Sequence, residues 1–132
     1  MNEIEGLTRE LVRAPSHEDE TVAGDLIEGW LLDETDANVE RDDAGNVLAR
    51  RDGAEVALVG HHDTVPPADG QVEDGEATVE RRNGRLYGRG TADMKGALAA
   101  AMVAFRDAEE EWTAFASFVG EESGGVGARY AT

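Results

Sequence analysis

Residues 56–67 read VALVGHHDTVPP, and they decide the fold because a continuous apolar run passes directly into polar residues. The run at 56–59 is typical of a strand buried on both faces, as in a parallel sheet. Apolar residues at helical spacing precede it at 4–12 and 22–31, and an alanine-rich helical stretch follows at 97–108. This alternation predicts an α/β fold with a mostly parallel sheet flanked by helices.

Further strands are expected around 37–40, 46–49 and 114–119. The dipeptide Asn83-Gly84 favours a tight hairpin turn, because both residue types tolerate positive φ angles.

The composition excludes several classes of protein. The 132 residues carry a net charge of −17, so no basic patch remains to bind nucleic acid. There are no cysteines, which excludes disulfides and thiolate metal sites. The longest nearly apolar run, 97–105, is too short to cross a bilayer, and the N-terminus lacks the pattern of a signal peptide. We therefore expect a cytoplasmic protein with no nucleic-acid or membrane partner.

The acidic surface itself indicates adaptation to high salt. Of the 12 basic residues, all but Lys95 are arginine, and acidic residues occur in nearly every polar stretch. Such a surface tolerates high salt, because self-repulsion weakens when the Debye length falls to about 3 Å at 1 M. An acidic cytosolic protein with no such adaptation is the alternative.

Metal-binding residue types follow two strands and precede one helix. His61 and Asp63 come directly after the run at 56–59, and alternation along an extended chain places them on the same side, with His62 on the other. A histidine ligand usually donates its second ring N–H to a carboxylate, and Asp63 is placed to accept it. Ligands of open α/β sheets collect at these strand ends.

Three more carboxylates complete the set. Asp93 follows a glycine-rich turn at a predicted helix start, where free N–H groups favour an anion that could bridge two cations. Glu121 and Glu122 are expected to point to opposite sides, so that one binds a metal and the other faces a water molecule. This division suits metal-assisted hydrolysis.

Each motif alone has another reading. His61 with Asp63 could be a structural pair, and adjacent glutamates are usually solvated. The stretch 88–96, GRGTADMKG, could cradle a phosphate. It lacks the Walker pattern, however, and Asp93 stands at the third glycine position of the dinucleotide fingerprint.

Taken together, residues 60–66, 88–96 and 120–122 resemble the ArgE/DapE/carboxypeptidase G family of dinuclear zinc metallopeptidases and amidohydrolases. The order and separation of the three motifs carry the resemblance, which covers essentially the whole sequence. It implies a zinc-peptidase-like catalytic domain that hydrolyses the amide bond of an N-acyl amino acid or a peptide. Deacetylases and desuccinylases of amino-acid biosynthesis are of this type.

The resemblance also implies a role for each site residue. His61 would bind the first Zn²⁺, Asp93 would bridge both ions, and Glu122 would bind the second. Asp63 would orient the ring of His61, and Glu121 would be the general base. Co²⁺ or Mn²⁺ would suit the same ligands.

The sequence departs from the family at its end. The family supplies further ligands and a lid domain that mediates dimerisation, and residues 1–132 contain neither. Each zinc would have two protein ligands, whereas catalytic zinc normally keeps three. We therefore expect residues 1–132 to be the N-terminal part of a catalytic metallohydrolase domain, with a homodimer expected for the full-length protein. The alternative is a non-catalytic or degenerate α/β module that binds a metal or a partner without turnover.

Overall fold

The computed structural model describes residues 2–108 and 113–132, which form four α-helices and eight strands. In chain order these are α1 (Glu3–Arg13), α2 (Thr21–Glu34), β1 (Asn38–Arg41), β2 (Val47–Arg50), β3 (Val56–His61), β4 (Val72–Glu73), β5 (Glu76–Ala77), β6 (Glu80–Arg82), β7 (Arg85–Tyr87), α3 (Gly96–Asp107), β8 (Thr113–Phe118) and α4 (Val126–Ala131).

The main sheet has four strands in the order β1-β2-β8-β3. Strand β3 runs parallel to β8, whereas β1–β2 and β2–β8 are antiparallel. The α/β class is confirmed, but the sheet is mixed rather than mostly parallel. A short connection after β1 leads directly into β2, and so short a link joins only antiparallel neighbours.

The hydrophobic core lies between the main sheet and helices α1, α2 and α3. These helices present apolar residues at helical spacing, which explains why they pack on the sheet. The buried core residues are Leu7, Leu11, Ile27, Leu31, Val47, Ala49, Leu98, Ala99, Met102, Phe105 and Phe115. The core therefore fixes β3 and β8, the two strands that lead into the candidate site.

Strand β3 is an edge strand of the main sheet as described. It pairs with β8 on one side, and no second partner strand occurs among the described residues. Val56 is 48% exposed and Val59 is 56% exposed, so the expectation of burial on both faces was wrong. Apolar sequence alone could not reveal that this strand lies at an edge.

Two small hairpins, β4–β5 and β6–β7, stand apart from the main sheet. Asn83 and Gly84 connect β6 to β7 with φ angles of 51° and 77°, which confirms the predicted tight turn. None of the described helices is both long enough and apolar enough to span a membrane.

Candidate metal centre

The candidate site lies where β3 and β8 end. Because these strands are parallel neighbours, their carboxyl ends meet at one edge of the sheet. His61 is the last residue of β3, and the turn Glu121–Ser123 follows β8. Asp93 comes from the irregular segment Thr91–Lys95 that precedes α3.

The structure brings together the three predicted metal ligands. One ligand atom each from His61, Asp93 and Glu122 lie within 4.8 Å of one another. The Nε2 atom of His61 is 3.1 Å from Oδ1 of Asp93 and 3.7 Å from Oε2 of Glu121. Imidazole and carboxylate groups suit Zn²⁺ and related divalent cations, so the donor set fits a metal.

Asp63 connects the histidine to the glutamates. Its side chain is buried, and its carboxylate accepts hydrogen bonds from the backbone N–H groups of Glu121 (3.0 Å) and Glu122 (2.9 Å). The Nδ1 atom of His61 lies 3.0 Å from the main-chain oxygen of Asp63 and 3.3 Å from its Oδ1. A carbonyl oxygen only accepts, so Nδ1 is the donor in this contact, and Nε2 is the ring nitrogen that faces Asp93.

The role of Asp63 thus differs in detail from the sequence-based expectation. Its main-chain oxygen makes the hydrogen bond to His61, while its carboxylate mainly holds the turn that follows β8.

The sequence predicted that Glu121 and Glu122 lie in an extended chain and point to opposite sides, and this prediction was wrong. They lie in a compact turn between Gly120 and Gly124, which have φ angles of 66° and 90°. Such left-handed angles suit glycine, and the turn lets both carboxylates approach His61 and Asp93. Partial desolvation and the charges of Asp93 and Glu121 raise the pKa of Glu122.

Asp93 does not lie in the first turn of a helix. Its φ and ψ angles are −133° and 96°, its peptide bond to Met94 is cis, and α3 begins only at Gly96. The side chains of Asp93 and Glu121 are 73% and 55% exposed. The cluster is therefore open to solvent on one side.

His62 points away from the cluster and lies fully buried. Its Nδ1 atom is 2.8 Å from Oγ of Ser117. Burial, followed by the charge of Arg41, lowers the pKa of His62 to about 4. The ring is therefore neutral at pH 7 and belongs to the core.

Sequence reasoning missed two buried polar residues next to the cluster. Lys95 donates a hydrogen bond from Nζ to the main-chain oxygen of Ala14 (2.8 Å), and burial lowers its pKa to about 8. Asn46 is fully buried and bonds to the main chain on both sides of the turn at 121–123. The unique lysine in an arginine-rich chain was an available signal, whereas a lone asparagine after a turn gave none.

Comparison with known proteins identifies relatives at the level of sequence. Residues 57–132 match the model of peptidase family M20/M25/M40. The succinyl-diaminopimelate desuccinylase of Gluconacetobacter diazotrophicus is 41% identical over 103 residues, covering 71% of this chain and 27% of the enzyme. The enzyme of the same name from Bordetella petrii is 40% identical, covering 82% of this chain and 29% of the enzyme. The chain therefore spans less than a third of the length of these relatives.

Solved structures share the fold. An aminopeptidase PepT from Bacillus cereus superposes with a TM-score of 0.73 and 25% identity, over 96% of this chain and 38% of its own. Human carnosine dipeptidase 1 gives a TM-score of 0.74 at 24% identity, over 98% of this chain and 34% of its own. The arrangement of helices around the mixed sheet is thus one that known peptidases contain.

Proposed function

Because the chain belongs to peptidase family M20/M25/M40, we propose that it forms the N-terminal part of a metal-dependent catalytic domain that hydrolyses amide bonds. The observation that carries this proposal is the convergence of His61, Asp93 and Glu122 within 4.8 Å. Amide hydrolysis needs a carbonyl that is polarised and a water that is activated, and this donor set suits a cation that does both.

In the proposed centre, His61 and Asp93 would hold one cation, and Asp93 and Glu122 would hold a second. Two Zn²⁺ ions are the proposed occupants, with Co²⁺ or Mn²⁺ as alternatives. When bound, the ions lower the pKa of water and polarise the substrate carbonyl. Asp63 positions His61 through a hydrogen bond to its main-chain oxygen. It positions the two glutamates through hydrogen bonds from their N–H groups to its carboxylate.

Glu121 is the proposed general base. Its carboxylate is 55% exposed and lies 3.7 Å from Nε2 of His61, beside the proposed ligands. It accepts a proton from the attacking water on a carboxylate oxygen and later donates that proton to the leaving nitrogen. An exposed carboxylate at this position can reach a water and a substrate alike.

The proposed substrate is an N-acylated amino acid or a peptide. The desuccinylase names of the relatives favour a succinylated amino acid. Residues outside this chain would determine which acyl group is bound. They would also form the contact between the two subunits of the proposed homodimer. We also propose that the protein lies in the cytoplasm. Its acidic surface is proposed to be an adaptation to high salt concentration.

The test begins with the intact mass of the native polypeptide from its source cells. That polypeptide is then assayed for release of succinate from N-succinyl-diaminopimelate, with Zn²⁺ supplied and with Zn²⁺ removed by a chelator. Glu121→Gln should keep the metal but lose about 100-fold or more in kcat, because a neutral amide cannot take a proton from water near neutral pH. Glu34→Gln, an exposed change on α2, is the matched control and should leave kcat unchanged.

One observation favours the second candidate, a module that binds a metal without turnover. Among the residues that the structure describes, each cation would have two protein ligands rather than three. A native mass equal to that of this chain, with Zn²⁺ bound and no hydrolysis, would support the module. Full activity of Glu121→Gln would contradict the assignment of Glu121 as the general base.

A further inference from the structure

We propose that Asn46 is a positioning residue that holds both ends of the turn bearing Glu121 and Glu122. This role rests on the proposed function, because it concerns the proposed metal ligand Glu122. The side chain of Asn46 bonds to main-chain groups at the two ends of the turn, so it acts on the glutamates through the backbone.

The amide of Asn46 bonds to both ends of the turn. Its Oδ1 atom accepts a hydrogen bond from the N–H of Val119 (2.9 Å), and its Nδ2 atom donates to the main-chain oxygen of Gly127 (3.0 Å). These partners lie 73 and 81 residues further along the chain, and they flank the segment 120–126. One buried side chain therefore fixes the spacing of the two ends.

Asp42 fixes the orientation of this amide. Its Oδ2 atom accepts the second Nδ2 hydrogen of Asn46 (2.8 Å), and its Oδ1 atom accepts the N–H of Asn46 (2.9 Å). A flipped amide would direct its donors at the N–H of Val119, leaving buried groups unpaired. The site thus requires one acceptor and two donors, which asparagine provides and aspartate does not.

Between these ends, Asp63 holds the middle of the turn. The main-chain oxygen of Gly120 closes the turn by accepting from Ser123 and Gly125, while Asp63 accepts the N–H groups of both glutamates. Since Glu121 and Glu122 are both exposed, the direction of their carboxylates depends on the backbone. If Asn46 is lost, the ends can move and the carboxylate of Glu122 leaves its place beside His61 and Asp93.

The experiment is a double-mutant cycle on Zn²⁺ binding, measured by isothermal titration calorimetry on the 132-residue chain. Asn46→Ala and Asn46→Asp are each made in the unaltered chain and together with Glu122→Gln. We expect Asn46→Ala to weaken Zn²⁺ binding by about 10- to 100-fold, as for other residues that orient metal ligands. Asn46→Asp keeps the acceptor for Val119 but turns a carboxylate oxygen toward the carboxylate of Asp42 and the main-chain oxygen of Gly127, so its loss should be at least as large. With Glu122→Gln in place, neither change should weaken binding further.

A purely structural role predicts a different result. Leu31→Ala, a change in the core at the end of α2, is the control: it should lower the unfolding temperature and leave Zn²⁺ affinity unchanged. Circular dichroism verifies that each variant is folded at the titration temperature. If Asn46→Ala does not fold, Asn46→Ser, whose hydroxyl can still bond to one of the two main-chain groups, decides the question.

Two results would overturn the role of Asn46: wild-type affinity in the folded Asn46 variants, or an equal loss in the Glu122→Gln background. Failure of the unaltered chain to bind Zn²⁺ is a separate outcome. It would overturn the proposed metal centre and, with it, any role of Asn46 in positioning a ligand.

Discussion

Asp63 is the residue on which the geometry of the candidate site depends most directly. It bonds through its main-chain oxygen to His61 and through its two carboxylate oxygens to the N–H groups of Glu121 and Glu122. Hydrogen bonds to a buried charged acceptor are stronger than those between neutral groups. One side chain therefore holds the end of β3 and the turn after β8 at a fixed separation.

Replacing Asp63 by Asn should weaken Zn²⁺ binding by about 10- to 100-fold, because the new amide can accept from one glutamate N–H but faces the other with its own donor. Isothermal titration calorimetry measures the affinity. Asp69→Asn removes the same charge from an exposed loop residue and should have no effect. Equal affinity in the two variants would show that the carboxylate of Asp63 does not position the ligands.

Sequence patterns indicated the residues that can bind a metal but not those that hold them. His61, Asp93 and Glu122 have recognisable side-chain chemistry and follow strand ends or a glycine-rich turn. Asn46 acts on main-chain groups more than 70 residues away, so no local pattern reveals it. The direction of Glu121 and Glu122 was missed for a related reason, because the turn that orients them bonds to Asp63, which lies 58 and 59 residues earlier in the chain.

At the level of elements, close packing at the start of α4 supports the turn after β8. A Cβ atom on Gly127 would lie 2.3 Å from Oδ1 of Asn46 and 2.5 Å from the main-chain oxygen of Val119. By contrast, a Cβ atom on Gly29, within α2, would meet no atom within 4 Å beyond its own helix backbone and chain neighbours. Alanine substitutions at these two glycines therefore test the packing, because a methyl group is crowded at Gly127 and has free space at Gly29.

Gly127→Ala should lower the free energy of unfolding by about 1–3 kcal/mol, since the added methyl group must displace buried atoms. Gly29→Ala should raise it by about 0.5–1 kcal/mol, since alanine restricts the unfolded chain and fits the helix. Urea unfolding followed by circular dichroism measures both changes. Destabilisation of the same size in both variants would contradict the packing described for Gly127.

Helices were easier to predict than strand pairing. Helix α1 follows from the local spacing of its apolar residues, and its capping residue Asn2 is its sequence neighbour. Strand order depends on contacts between distant segments: β8 inserts between β2 and β3, although it follows both by more than 50 residues. The apolar run of β3 consequently predicted a strand, but not its place at the edge.

For the whole molecule, the dominant property is the net charge of −17. Carboxylates outnumber cationic groups by 29 to 12, so folding gathers like charges into a smaller volume. At 0.01 M salt the Debye length is about 30 Å, and these charges repel one another across much of the domain. Screening should therefore stabilise the fold.

Raising NaCl from 0.01 to 1 M should increase the free energy of unfolding by on the order of 1 kcal/mol, or raise the melting temperature by about 4 °C. Differential scanning calorimetry measures the shift. Sucrose at matched osmolality is the control, because it is excluded from the protein surface but does not screen charge. An equal increase in sucrose would show that charge repulsion is not the cause.

The place of β3 at the edge of the described sheet has a consequence for amide hydrogen exchange. Along a strand paired on one side, alternate N–H groups point toward the partner and away from it. In the isolated chain, the amides of β3 that bond to β8 should exchange slowly with deuterium, while those directed outward should exchange rapidly. The six residues of the strand that ends at His61 would then include both slowly and rapidly exchanging amide hydrogens.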